Sequence, residues 1–238
     1  MNDGWHESAE AWIASMGDEG DWGRRNVLDP AVLALIGARR FRAALDVGCG
    51  EGRFCRVLKG LGIPVCGIDP TAPLLEAAIR RDPQGDYRLA GAEAVPFADN
   101  SFDLVLCYLV LIDVADFRAA ISEMARVLAP GGSLVLANLT AMSTAGSTEG
   151  WVRDAAGRGL HWPVDRYLEE RPLCAEWSGI SVINWHRPLS AYMAACLRAG
   201  LHLAHFEEPL PKGGDRETAA RYRRLPWFNL MEWTLPEV

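Results

Sequence analysis

The 238-residue chain is 50% apolar and 23% charged, a globular balance sufficient for one large domain or one domain carrying a sizeable insertion. Its formal net charge of −7 argues against a general nucleic-acid or anionic-membrane binder, because nothing offsets phosphate repulsion over the whole surface. The start, MNDGWHESAEAW, has neither the basic nor the apolar region of a signal peptide, and the longest apolar stretch, Leu104–Val114, is broken by Asp113 and too short to span a bilayer.

In chain order, residues 1–40 predict one or two helices, Glu7–Met16 and Pro30–Ala38, joined by a Gly/Asp-rich link. Arg42–Val47 is then a short apolar strand ending in the turn Gly48-Cys49-Gly50-Glu51-Gly52, and Arg53–Leu61 a helix closed by Gly60 and Gly62. Ile63–Ile68 predicts a second strand, Ala72–Arg81 a helix stopped by Asp82-Pro83, and Tyr87–Ala90 a weaker third strand. The continuous apolar run Phe102–Cys107 suits a strand buried on both faces. Phe117–Leu128 is an amphipathic helix, and Pro130-Gly131-Gly132 turns the chain into strand Ser133–Asn138. Strands alternating with helices at this spacing predict a parallel, doubly wound α/β sheet. From Thr140 to His186 the pattern is irregular; regularity returns with helix Pro188–Ala199, strand Leu201–Glu207, a polar loop and a last strand near Trp227–Thr234.

The six cysteines form no CxxC pair and no cluster with histidine, and most sit in apolar runs, which suits reduced thiols in a cytoplasmic protein without a metal site. The run Arg216, Arg221, Arg223, Arg224 reads as the solvated face of a loop or helix. All nine tryptophans lie outside residues 41–140; they either anchor the added elements or, in the case of Trp12, Trp22, Trp151 and Trp162, wall a pocket for an apolar or aromatic ligand.

A glycine turn after the first strand of such a sheet lies at the carboxyl edge, where ligands of open α/β folds bind. The spacing Gly48-x-Gly50-x-Gly52 departs from the dinucleotide fingerprint GxGxxG, with Arg53 at the third glycine's place, and no GK[ST] follows to make a P-loop. Asp46 and Glu51 flank the turn. Two carboxylates beside a pyrophosphate would each cost roughly 1 kcal/mol or more of repulsion, whereas a ligand bearing an ammonium and a sulfonium reverses that sign. Asp69, ending the second strand about 20 residues on, is placed to accept from ribose hydroxyls; Asp69 or Thr71 could alternatively cap the following helix.

Three motifs then carry a family resemblance. Leu45-Asp46-Val47-Gly48-Cys49-Gly50-Glu51-Gly52-Arg53-Phe54 resembles the first motif of class I methyltransferases dependent on S-adenosylmethionine (SAM). The run Ala92 to Val105, AEAVPFADNSFDLV, resembles the AE-x-LPF-x-D-x-SFD signature of the branch that includes ubiquinone and menaquinone biosynthesis methyltransferases, and Arg126–Gly132 resembles its RVLKPGG turn. The motifs cover residues 41–140, and the segments 186–192 and 199–201 look like those enzymes' last helix and strand. The resemblance implies a Rossmann-like, mostly parallel seven-stranded sheet, with an N-terminal helical cap (1–40), a SAM-binding core (41–140), a substrate-side insertion after the fifth strand (141–186) and closing elements (187–238), all in one methyltransferase domain. It also implies that Asp46, Gly48, Cys49 and Gly50 line the methionine part of SAM, that Asp69 with Pro70 takes the ribose, that Ala92 and Glu93 border the adenine, and that Tyr108 faces the methionine or sulfonium region. Gly91 stands where relatives often place an Asp, and Ile112-Asp113 where many have paired histidines.

Methyl transfer from a sulfonium needs alignment, water exclusion and a suitable field, and a general base only if the acceptor has a proton to lose. Candidates for that base are His161, Tyr167 and His186, in or next to the insertion; Arg24 or Arg25 could meet the SAM carboxylate. The expected partner is a small methyl acceptor, apolar or aromatic. A catalytically silent SAM-binding protein and a nicotinamide-dependent oxidoreductase are the competing readings, and the acidic turn opposes the second.

Overall fold

A computed structural model describes residues 3–146 and 150–237; residues 1–2 of the expected cap and 147–149 of the expected insertion lie outside that range. The elements are α1 (Trp5–Met16), a π-helical turn (Arg24–Leu28) running into α2 (Asp29–Ile36), β1 (Ala44–Val47), α3 (Arg53–Gly60), β2 (Val65–Asp69), α4 (Ala72–Arg81) and β3 (Asp86–Leu89). After these come β4 (Phe102–Tyr108), α5 (Phe117–Val127), β5 (Leu128–Leu139), α6 (Ala141–Thr144), β6 (Val152–Arg153), β7 (Gly159–His161), β8 (Arg171–Trp177) and β9 (Ile180–His186). α7 (Leu189–Arg198), β10 (His202–Glu207), α8 (Arg216–Tyr222) and β11 (Phe228–Thr234) complete the order.

Seven strands form one sheet in the order β10-β11-β5-β4-β1-β2-β3, parallel except for β11, which runs antiparallel to both β5 and β10. The strand order turns around at β1, whose carboxyl end carries the glycine turn between β2 and β4. β4 shows why its apolar run is continuous. Val105 and Cys107 pack with α5 and α7 on one face, while Leu104, Leu106 and Tyr108 pack with α2, α3 and the π turn on the other. Pro130-Gly131-Gly132 is a bulge inside β5, marked by the register shift between Phe102 and Leu104, so β5 begins at Leu128 and not at Ser133.

The expected irregular insertion is built of two antiparallel hairpins, β6–β7 and β8–β9. The second closes on the two-residue turn Ser178-Gly179 between the paired Trp177 and Ile180, both turn residues at positive φ (48° and 80°), the primed geometry that matches strand twist. β9 packs against α1: Ser8 Oγ donates to Ser181 O at 3.1 Å and accepts from Ser181 N at 3.0 Å, and a Cβ on Gly4 would stand 2.2 Å from Ser181 O. The arginine run lies on and after α8, capped by Asp215 Oδ1 accepting from Thr218 N at 2.8 Å, with all four guanidinium-bearing residues exposed. Among the described residues no helix is long and apolar enough to cross a membrane.

Candidate active site

The carboxyl edge of the sheet opens into a cavity of about 1060 Å³, at the upper limit of the roughly 300–1,000 Å³ common for small-molecule sites. Its floor is the glycine turn. Gly48 N and Cys49 N donate to Ile68 O at 2.8 and 2.9 Å, tying the turn to β2. Gly48 has φ +71° and a Cβ there would meet Val110 Cγ2 at 2.4 Å; Gly50 has φ +55° but its Cβ would meet only Trp12 Nε1, at 3.8 Å. The first glycine therefore allows close packing of the loop after β4, and the second leaves the backbone bare to the cavity.

Asp69 lines this floor and is buried. Its Oδ2 accepts from Gly50 N at 2.9 Å and its Oδ1 from Thr71 N at 2.8 Å, so it braces the glycine turn and the start of α4 together. Burial raises its pKa above the ordinary carboxylate value despite those two donors. Gly48, Gly50, Pro70, Ala92, Glu93 and Tyr108 also line the cavity. Tyr108 Oη donates to Asp29 Oδ1 at 2.8 Å, and Asp29 receives both Arg53 nitrogens at 2.8 and 2.9 Å, a buried network that the sequence pattern did not announce.

Three expected positions lie elsewhere. Asp46 is buried behind the turn, where its Oδ2 accepts from Cys55 Sγ at 3.3 Å and burial pushes its pKa up to about 7. Cys49 turns its thiol toward Cys55 and Gly67, filling the space that a side chain at Gly67 would need. Arg25 points outward to Glu19 at 3.3 Å, and its neighbour Arg24 lines the cavity instead, over the Trp12 ring at 4.9 Å and paired with Asp21. Successive residues of a helical turn face different directions, so one of two adjacent arginines is selected.

The three candidate bases also lie off the cavity wall. His186 is fully buried with Nδ1 2.8 Å from Thr144 Oγ1 and Nε2 2.9 Å from Tyr167 O, and burial lowers its pKa, so it is a neutral tie between β9, α6 and the loop before β8. Tyr167 supplies that carbonyl, and His161 is exposed on β7. Of the described residues lining the cavity, none is His, Lys or Cys, and Arg24 is the one cation.

The opposite wall is aromatic and comes from outside the core. Trp5 and Trp12 of α1, Trp177 of β8 and Trp185 of β9 line it, with ring centroids 5.1 Å apart for Trp5–Trp12 and 6.5 Å for Trp12–Trp177. Trp22 and Trp227 also contribute, whereas Trp162 stands behind Trp227 at 5.2 Å and Trp151 behind Trp162 at 5.8 Å, so the expected pocket role holds for two of the four named tryptophans. Asp113 and Asn184 complete the wall, and sequence reasoning assigned neither a function. The loop carrying Asp113 is pinned by Arg187, buried, whose guanidinium donates to the carbonyls of Leu111 (2.8 Å), Val114 (2.6 Å) and Ala115 (2.9 Å).

Residues 45–136 match the family model described as a methyltransferase domain. Over 200 residues the chain is 36% identical to the malonyl-[acyl-carrier protein] O-methyltransferase of Salmonella typhimurium, covering 82% of this chain and 77% of that one. It is 39% identical to the demethylmenaquinone methyltransferase of Renibacterium salmoninarum over 54% of this chain and 52% of the relative. A SAM-dependent methyltransferase crystal structure from Mesorhizobium loti superimposes with TM-score 0.78 at 29% identity, covering 92% of this chain and 100% of that one. Fold, motifs and relatives agree: the chain belongs to the SAM-dependent methyltransferases and is an enzyme that uses SAM as its methyl donor.

Proposed function

We propose that the cavity holds SAM along its floor and a small apolar or aromatic acceptor under its tryptophan wall. The observation carrying this reading is that one cavity joins a bare-backbone glycine turn and a ribose-competent carboxylate to an aromatic wall, with a volume at the top of the usual range.

Gly48 and Gly50 let the methionine portion approach the backbone, Asp69 accepts from the ribose hydroxyls through its remaining lone pairs, and Pro70, Ala92 and Glu93 border the adenine. Arg24, of the two arginines expected for this role, pairs with the cofactor's carboxylate beside Tyr108, while Asp46 and Cys49 support the turn from behind. The carboxylates near the turn favour a ligand carrying an ammonium and a sulfonium. When bound, SAM supplies a methyl group on a cationic sulfur that leaves as a neutral thioether by in-line displacement. The chain's own part is to align the acceptor and to exclude water with Trp5, Trp12, Trp177 and Trp185.

Calorimetric titration of the full chain with S-adenosylhomocysteine (SAH) and with NADH tests the cofactor half. SAH is expected to bind and NADH not to; tight NADH binding without SAH binding overturns the reading.

A further inference from the structure

Asp113 sits in the loop after β4 and faces the cavity from its aromatic side. Asn184 Nδ2 donates to its Oδ1 at 2.5 Å, and the Trp5 side chain also hydrogen-bonds to it, so β9 and α1 both fix the carboxylate. Neither partner is charged. Among the described residues the charged groups that act on it most are Asp3, ahead of α1, and Asp69, ending β2, both acids; Cys107 of β4 is a further neighbour. The nearby guanidinium of Arg187 is taken up by three main-chain carbonyls. Burial, opposed by the two hydrogen bonds and reinforced by the two acids, pushes its pKa up to about 8. A carboxyl group in an apolar cavity without a counter-ion is costly to keep.

A cationic ligand would supply that counter-ion, and the faces of Trp5, Trp12, Trp177 and Trp185 would favour the same charge. An acceptor reacting as a carboxylate, phenolate or enolate would instead bring negative charge toward Asp3, Asp69 and Asp113. Arg24, the one cation among the described lining residues, is paired with Asp21 at the cofactor end.

We propose that the acceptor is an arylalkyl amine, held as its ammonium ion against Asp113, and that Asp113 is the catalytic residue that takes its proton before nitrogen is methylated. This rests on the cofactor placement proposed above. One ammonium N–H proton passes to an Asp113 carboxylate oxygen, and the freed nitrogen lone pair forms the N–C bond to the methyl group. The C–S bonding pair stays on sulfur. The methylated amine leaves as a cation with neutral SAH, and the proton on Asp113 returns to solvent, so charge and atoms balance. Asn184 and Trp5 are positioning residues for the carboxylate.

The test uses the full chain saturated with SAH, with 2-phenylethylamine, tyramine and tryptamine as amine probes against 2-phenylethanol and 3-phenylpropanoate. Calorimetry at pH 7 in two buffers of different ionisation enthalpy is expected to show amine binding at least tenfold tighter than the alcohol, no carboxylate binding, and release of close to one proton. In Asp113→Asn the amine preference and the proton release are lost while SAH affinity stays within twofold of wild type, and Asp113→Glu recovers part of both. With labelled SAM, transfer to the amine falls about 100-fold in Asp113→Asn and the residual rate loses its pH dependence near 8. No preference for any amine, or a preference unchanged in Asp113→Asn, overturns the inference. Failure of wild type to bind SAH overturns the cofactor placement instead.

Discussion

The sheet core and the cap that closes its cavity are held together by different physics. In the core, residues alternate between two apolar layers, one with α5 and α7 and one with α2 and α3, so cohesion is spread over dozens of buried side chains. The cap, α1 with the β8–β9 hairpin, is tied together by discrete contacts, the Ser8–Ser181 pair, Ile183 N to Asp3 O at 2.9 Å and tryptophan edges, and it meets the loop after β4 through Trp185 N to Ile112 O at 2.6 Å and Asn184 Nδ2 to Asp113 Oδ1 at 2.5 Å. Distributed packing fixes a fold, whereas a few directional contacts can be exchanged without losing it. The acceptor side of such an enzyme can therefore diverge while the cofactor side stays the same.

Substitutions on each side and at the seam can break or sharpen this contrast. The largest effect is expected at the core turn. Gly48→Val drives a side chain into Val110 at a backbone angle of φ +71° and should cost about 3 kcal/mol in urea unfolding, with SAH binding lost beyond calorimetric detection. At the seam, Arg187→Met leaves three carbonyls of the 111–115 loop without their donor. A stability loss of about 2–3 kcal/mol is expected, and a loss below about 0.5 kcal/mol would show that water replaces the guanidinium. In the cap, Ser8→Ala should cost only about 1 kcal/mol, with SAH affinity unchanged. An equal loss of SAH binding would mean that cap and core are not separable.

The smallest effect is expected at His186. His186→Gln should leave turnover unchanged, since the imidazole is engaged by Thr144 and Tyr167 away from the cavity. Its folded pKa lies below the ordinary value of 6.5, so the neutral ring stabilises the fold above that pH, and the contribution is lost as pH falls below it. The stability difference between wild type and His186→Gln should accordingly shrink between pH 7 and 5.5 in denaturant titrations. A difference that grows on acidification would contradict the assignment of a neutral tie.

The same contrast explains what could be read from the sequence. β1, the glycine turn and β4 announce themselves locally, because a buried parallel strand is an apolar run and a close-approach turn needs glycine at Gly48. The β8–β9 hairpin carried a local signal too, Ser178-Gly179 between alternating strands, but Pro172 and the polar residues of its exposed face obscured it. Helical phase turns Arg24 and not Arg25 to the cavity, while His186 is buried and His161 exposed away from it, and a residue's identity contains none of this. Asp113 joins the cavity wall where the fold brings Asn184, 71 positions away, to its carboxylate.

The contact between Ser8 and Ser181 bridges 173 positions. During synthesis β5 is finished at Leu139, the hairpin strand β9 begins 41 residues later at Ile180, a delay of about 2–8 s at ordinary elongation rates, and the core elements α7, β10 and β11 follow it. Because β11 inserts between β5 and β10 only after the hairpin has emerged, neither the sheet nor the chamber at its edge is complete until nearly the whole polypeptide has been made.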